Sequence, residues 1–367
     1  MSRTATTIFI VLISLYSFAQ KNVLSLEKLG LKPLKDQLSY IPAKSFNSLV
    51  HTGSDSVSNY APRISSVAGF YISKTEVTNK EYREFVYYTR DSIAHTLLQH
   101  FAGNEIDWGQ RIDWNDDRLV TLMLPPDESF SGRKVIDPAK IYFAIDFFGK
   151  KETISIYPDT LVWMRDFSYS YNEPLAKKYF MHSNYDNYPV VGISLKQAMA
   201  FCKWKTGQYN KRIKEKDATG FEMLVRLPSN AEWESSAFEE KDVENIYVGK
   251  KDYNCNFGLI TGMAGVLKKD FKDDGYFYTS PVKNYPPGPF GLYDMKGNVA
   301  EWTSTSREEV MKAEVQQEKS KIFFVVKGGG WNSTPFYLQA GVCQFYPIED
   351  THTFIGFRYV AEVRNNK

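Results

Sequence analysis

In the stretch DMKGNVAEW, Asn298 and Glu301 stand three residues apart around a turn that also presents the carbonyls of Gly297 and Val299. Upstream, DDGY adds Asp274 and the carbonyl of Tyr276. A hard cation such as Ca²⁺ selects oxygen sets of this composition. The same residues also read as an Asn-Gly-type turn closed by a capping glutamate. The spacing is not that of an EF-hand. In DFKDDGYFY, Lys272 stands where a further ligand is needed, and Pro281 stands where the closing glutamate belongs.

Nothing else in the chain spells out a reaction. The GxSxG, HExxH, GxxxxGK[ST] and CxxC signatures are absent. The 5 histidines are scattered, and the nearest useful pair, His95 and His100, has a spacing that does not stack on one helix face. KGGGW lacks the spacing of a dinucleotide loop, and its glycines predict close backbone approach. The 3 cysteines, Cys202, Cys255 and Cys343, allow at most one bridge, which excludes a disulfide scaffold. Cys202 falls at helical spacing with Leu195, Ala198 and Met199, so it reads as a small buried hydrophobe rather than a reactive thiol.

The elements that would position these residues are partly written in caps and periodicity. GFYISKTEVTNKEYREF predicts a strand over 70–72, a helix cap at Thr78 with Glu81 three residues on, and a helix carrying Tyr82, Phe85 and Val86 on one side. PVVGISLKQAMAFCKW predicts a strand, a cap at Ser194 and a helix, and VRLPSNAEWESSAF a second capped helix from Ser229 with Glu232. KIYFAIDFF, VVKGGGWNS and FIGFRYVAEV predict strands. Residues 20–65 read as an extended lead-in, and REEVMKAEVQQEKSK as a solvated helix or flexible insert. Between Tyr157 and Tyr188 there are 9 aromatics in 32 residues, which could form a contact surface or pack against a loop-rich body. Neither a repeat nor a linker interrupts the pattern, so one domain is expected.

Bulk properties narrow the setting. With 45 Lys and Arg against 43 Asp and Glu the net charge is +2, and no basic cluster offers a nucleic-acid footprint. A large aromatic complement, 25 Phe, 24 Tyr and 7 Trp, supplies a sizeable core. At the N-terminus, Arg3 precedes an apolar run from Ile8 to Phe18 with Ser17 and Ala19 in the pattern of a cleaved signal peptide, which predicts export after cleavage behind Ala19. No cysteine precedes Cys202, so lipid attachment behind the signal is not expected, and membrane association would run through a partner.

Taken in order, GFYISKTEVTNKEYREF, YPVVGISLKQAMAFCKW, VRLPSNAEWESSA, FGLYDMKGNVAEWTS, VVKGGGWNS and IGFRYV resemble the formylglycine-generating enzyme (sulfatase-modifying factor) domain family, across Ser66 to Val363. The resemblance implies an α+β, C-type-lectin-like fold: one compact domain over 66–365, low in regular secondary structure, with an insert over 89–187 and structural Ca²⁺. By carry-over, Gly297, Asn298, Val299 and Glu301 would hold one calcium, and Asn256, Phe257, Asp274 and Tyr276 a second. The family's oxidase binds copper through two cysteines, whose softness selects Cu(I). Those positions fall on Ser333 and Leu338, which implies no copper and no oxidase activity. Cys343 falls where the family often has a structural cysteine, and the usual partner position falls on Ala237.

The aromatic insert resembles the gliding-motility and type IX secretion proteins of the GldJ and GldK (PorK) type. These are non-enzymatic members of the fold that lie in the periplasm at the inner face of the outer membrane, where GldK-type chains join a partner in a ring. The expectation is therefore a catalytically inactive assembly component with protein partners, meeting them through Trp163, Phe167, Tyr169 and Tyr171. A ligand-binding module on a lectin-like fold and an enzyme of other chemistry are the alternatives.

Overall fold

The computed structural model describes Leu26, Leu29 and residues 31–51, 60–125, 134–166, 173–216, 220–237, 255–258, 276–311 and 321–365. The first strands are β1 (Leu38–Ile41), β2 (Lys44–His51), β3 (Tyr60–Val67) and β4 (Phe70–Ser73), followed by the helix α1 (Asn79–Leu97). Two hairpin-sized pairs follow α1, β5 (Phe101–Ala102) with β6 (Glu105–Ile106), and β7 (Tyr142–Phe147) with β8 (Lys150–Ser155). Two short helices, α2 (Val162–Arg165) and α3 (Glu173–Lys178), precede the long α4 (Leu195–Glu215). Next come β9 (Phe221–Arg226), α5 (Asn230–Ala237), β10 (Ala300–Ser306), α6 (Arg307–Met311) and β11 (Phe323–Lys327). The last strands are β12 (Gln344–Pro347), β13 (Ile355–Gly356) and β14 (Val360–Asn365).

Two four-stranded sheets organise these elements. The first has the order β1-β4-β14-β9 with every neighbour antiparallel. The second has the order β12-β11-β10-β13, antiparallel except for the parallel β10–β13 pair. The first sheet thus joins both ends of the described chain, because β1 and β14 both pair with β4. That is why residues 38–51 and 60–65 are more than an extended lead-in. Leu29, Leu31, Leu34 and Leu38 are buried in the main core, and β2 and β3 form a hairpin, so the folded unit begins before Ser66.

The predicted caps form. Thr78 Oγ1 accepts from Glu81 N, and Ser194 and Gln197 make a reciprocal capping box at the start of α4. Ser229 and Glu232 do the same ahead of α5, with Ser229 N donating to Glu232 Oε2 at 2.8 Å and Glu232 N to Ser229 Oγ at 3.2 Å. The apolar stripes of α1 and α4 meet in an aromatic centre, where Tyr82 stacks on Phe201 at 5.7 Å and Phe357 packs edge-on to both. Cys202 lies in this core as expected. Burial raises its thiol pKa, which makes it a poor nucleophile. Among the described residues, no helix is long and apolar enough to cross a membrane.

Candidate functional site

Some of the predicted site residues, Asn256, Gly297, Asn298 and Glu301, lie near the junction of the two sheets. Gly297 and Asn298 both adopt left-handed backbone conformations, with φ of 76° and 59°. At Gly297 this is obligatory, because a Cβ there would run into the Asn256 carbonyl oxygen. Asn298 N donates to that same carbonyl at 2.7 Å, and Asn256 Nδ2 donates to the Tyr278 carbonyl at 2.8 Å. Asn298 Oδ1 accepts from Ser280 N at 2.8 Å. The turn reading of this stretch therefore holds, and its side chains knit three loops to one another.

Glu301 has a different partner from the one expected. Its carboxylate accepts from Arg358 Nε at 2.8 and 2.6 Å and from Trp233 Nε1 at 2.7 Å. Glu301 and Arg358 are only 1% and 0% exposed. With both oxygens hydrogen-bonded and the charge matched by a guanidinium, Glu301 is held in a buried ion pair. Val299 and Phe257 are buried, Val299 in the cluster around Trp163. The side-chain hydroxyl of Tyr276 reaches Asn284 at 3.1 Å, and Asp274 lies outside the described residues. No group of three or more His, Cys, Asp or Glu among the described residues is placed to hold a metal.

Two further carboxylates face the same arginine, and the sequence reading missed both. Glu76, wholly buried, has Oε1 without a hydrogen-bond partner, as does Asp294 Oδ1. Three carboxylates around one guanidinium cannot all carry charge cheaply away from water. Burial, with Asp294 and Glu301 nearby, pushes Glu76 well above the usual carboxylate range, and burial pushes Asp294 up to about 6. The arginine in IGFRYV, a lone charge among apolar residues, was the available clue.

The glycines of KGGGW do what the sequence predicted. A Cβ on Gly330 would lie 2.8 Å from the Phe354 carbonyl oxygen. A Cβ on Gly329, whose φ is +65°, would lie 3.1 Å from both Ser333 Cβ and Leu338 Cδ2. Ser333 and Leu338 thus converge on one point beneath the backbone. Ser333 Oγ accepts from Gly330 N at 2.9 Å, and Leu338 is buried. A hydroxyl and an isobutyl group do not make a soft donor set, so this cradle does not fit Cu(I).

The other thiols are placed elsewhere. Cys343 Sγ lies 3.6 Å from the buried Lys327 Nζ, which also donates to Glu234 Oε1 at 3.0 Å. Ala237 belongs to a different apolar cluster. His95 and His100 do meet, with Nδ1 atoms 3.1 Å apart, because the chain reverses after α1 and brings His100 back over the helix end.

Trp163 corrects the partner-surface expectation. It is 1% exposed, tilted against Tyr179 at 4.7 Å and edge-on to Tyr278 at 5.3 Å, in a cluster with Val162, Ala176 and Val191. An indole and the phenol rings beside it bury more area by packing inward than by waiting for a partner. Phe167, Tyr169 and Tyr171 lie outside the described residues. Among the described residues of this segment, the exposed large apolar groups are Leu161, Met164 and Met181, at 63%, 48% and 44%.

Residues 39–363 match the sulfatase-modifying factor enzyme 1-like domain. One relative is the inactive Cα-formylglycine-generating enzyme 2 of Bos taurus, 30% identical over 148 residues that span 40% of each chain. Another is the formylglycine-generating enzyme of Thermomonospora curvata, 32% identical over 121 residues, 32% of this chain and 33% of that one. The chain spans less than half the length of the curated relatives it matches. Among solved structures, PvdO from Pseudomonas aeruginosa superposes with a TM-score of 0.46 at 19% identity, covering 89% of this chain and 94% of that one.

The acid cluster gives a pH prediction. Asp294 titrates higher in the fold than its ordinary 3.8, so its contribution is fully present below that value and is lost as pH rises through about 6. Asp294→Asn keeps the left-handed backbone and the acceptor for Lys283 N without the charge. The variant is expected to exceed the parent in stability by up to about 3 kcal/mol near neutral pH, with the gain vanishing toward roughly pH 4. Urea unfolding at both pH values measures this, and a pH-independent difference would refute it.

Proposed function

The chain belongs to the sulfatase-modifying factor enzyme 1-like family, and within it we propose a catalytically inactive, exported assembly component of the gliding-motility and type IX secretion machinery. One observation carries the loss of catalysis. The two positions that the family resemblance assigns to the copper thiolates are Ser333 and Leu338, and they meet at Gly329 with no sulfur between them. Neither can form the thiolate that soft-metal oxygen activation requires. The inactive relative in Bos taurus is in keeping with a fold that persists without its reaction.

The assembly role rests on the resemblance of the 157–188 insert to GldJ- and GldK-type proteins, and the periplasmic location on the N-terminal signal pattern. A partner surface on that insert would use Leu161 and Met164, which point outward from α2, while Trp163 holds the helix down. Exposed aliphatic groups on a short rigid helix fit the apolar centre of a protein interface. Association with the inner face of the outer membrane would follow from the partners, including ring-forming ones.

Calcium belongs to this reading at two oxygen sets, Gly297, Asn298, Val299 and Glu301, and Asn256, Phe257, Asp274 and Tyr276. Adding calcium to chelator-stripped protein is expected to raise the melting temperature, since an ion that binds only the folded state stabilises by mass action. An unchanged melting curve removes the ion from the account.

For the assembly role, a C-terminally tagged chain crosslinked in native envelopes is expected to co-purify with other gliding or secretion components. The double variant Leu161→Asp, Met164→Asp should lose that capture with an unchanged melting temperature. Trp163→Ala should instead lower stability by about 3–5 kcal/mol, as truncation of a buried aromatic does. Recovery of the parent protein alone, monomeric in the soluble envelope fraction, would contradict the proposal.

A further inference from the structure

A cavity of about 320 Å³ opens where the end of β4, the first turns of α1 and one side of α4 face one another. It shares no lining residue with the Gly329 cradle. Its lining is polar apart from the ring of Tyr359. A polar, charged cavity of this kind excludes apolar ligands, because burying its groups without partners is costly.

The floor is rigid and internally balanced. Lys205 Nζ donates to Glu81 Oε1 at 2.6 Å, and Tyr359 Oη lies 3.1 Å from Tyr209 Oη. The Lys205 ammonium also sits 5.6–5.8 Å from the ring centres of Phe201, Trp204, Tyr209 and Tyr359. Lys205 is 7% exposed, so this ammonium is fixed in place.

The rest of the lining is unbalanced. Lys74, Lys80 and Lys283 line the cavity, and among the described residues none has a carboxylate within salt-bridge distance. Asp36 and Glu84 line it too and are likewise without a cationic partner among the described residues. Once Lys205 and Glu81 cancel, three ammonium groups remain against two carboxylates. The positive end of α1 adds to the field. Its first N–H groups are already taken, Asn79 N by the Tyr188 carbonyl and Lys80 N by the Asp186 carbonyl, so the ligand must be held by side chains.

We propose that this cavity binds a small phosphate-bearing polyol, with the phosphate held among Lys74, Lys80 and Lys283 and the hydroxyls bonded to Asp36, Glu84 and Gln37. The mixed lining is what such a ligand requires. Ammonium groups bind the phosphate oxygens with charge-assisted bonds, and free carboxylates are the strongest acceptors for hydroxyl donors. The volume corresponds to roughly ten waters at ~30 Å³ each, which accommodates a hexose phosphate. This site is independent of the assembly role and of the missing thiolates.

Isothermal titration of the full chain with glucose-6-phosphate at fixed ionic strength tests the proposal, with glucose and inorganic phosphate as comparison probes. One-to-one binding of the sugar phosphate is expected, with weaker binding of inorganic phosphate and none of glucose. Lys74→Ala and Lys283→Asn should each weaken binding by about tenfold or more. Asparagine tolerates the left-handed backbone of Lys283, whose φ is 67°. Lys74→Arg should retain binding, and Lys211→Ala, at an exposed lysine of α4 outside the cavity, should leave it unchanged. Absence of binding, equal binding of glucose, or undiminished binding in Lys74→Ala with Lys283→Asn would overturn the assignment.

Discussion

The ion pair between Glu301 and Arg358 is the constraint on which the rest of the structure turns. Glu301 sits on β10 of one sheet, and Arg358 lies between β13 and β14, next to the other. The guanidinium also donates to the Ser73 carbonyl at the end of β4 and to the Tyr293 carbonyl of the loop before β10. Trp233 of α5 donates to the same carboxylate. Two sheets, one helix and one loop therefore share a single buried charge pair. Removing either partner would strand the other charge away from water, so each depends on the other. Beside this pair, burial first and the Glu301 charge after it raise the pKa of both Glu76 and Asp294.

How much of this was legible depends on the range over which each feature is encoded. Helix starts were readable because a cap and its partner lie three residues apart, as at Ser194 and Gln197 or Ser229 and Glu232. Cys202 was readable from helical periodicity, and the KGGGW glycines from what glycine alone permits. Sheet pairing was not, since β1 and β14 meet on β4 from opposite ends of the sequence, and a weakly patterned lead-in gives no sign that it supplies an edge strand. The Glu301 ion pair was hidden for the same reason. Its spacing from Asn298 fits an oxygen cage equally well, and only the fold brings Arg358 from 57 residues away to take both oxygens. Trp163 failed for a related reason: aromatic density marks a segment that buries area, but not whether the burial is against the same chain or another.

The consequences for function follow from what the scaffold keeps and what it lacks. The loops that converge near Gly297, Gly329 and Gly330 leave no room for a side chain at those glycines, and at Gly329 the nearest atoms include those of Ser333 and Leu338 themselves. Ser333 and Leu338 bring a hydroxyl and an alkyl group to that cradle. The cavity beside α1 shares no lining residue with this cradle, so the two can be varied separately.

A double-mutant cycle on Glu301→Gln and Arg358→Met, read by equilibrium unfolding, tests the structural account most directly. Each single change is expected to cost about 3–5 kcal/mol by leaving a buried group unmatched, and the double change markedly less than the sum, with a coupling of about 2 kcal/mol or more. Additivity within about 0.5 kcal/mol would show that the two residues do not act as a pair, and would contradict the account.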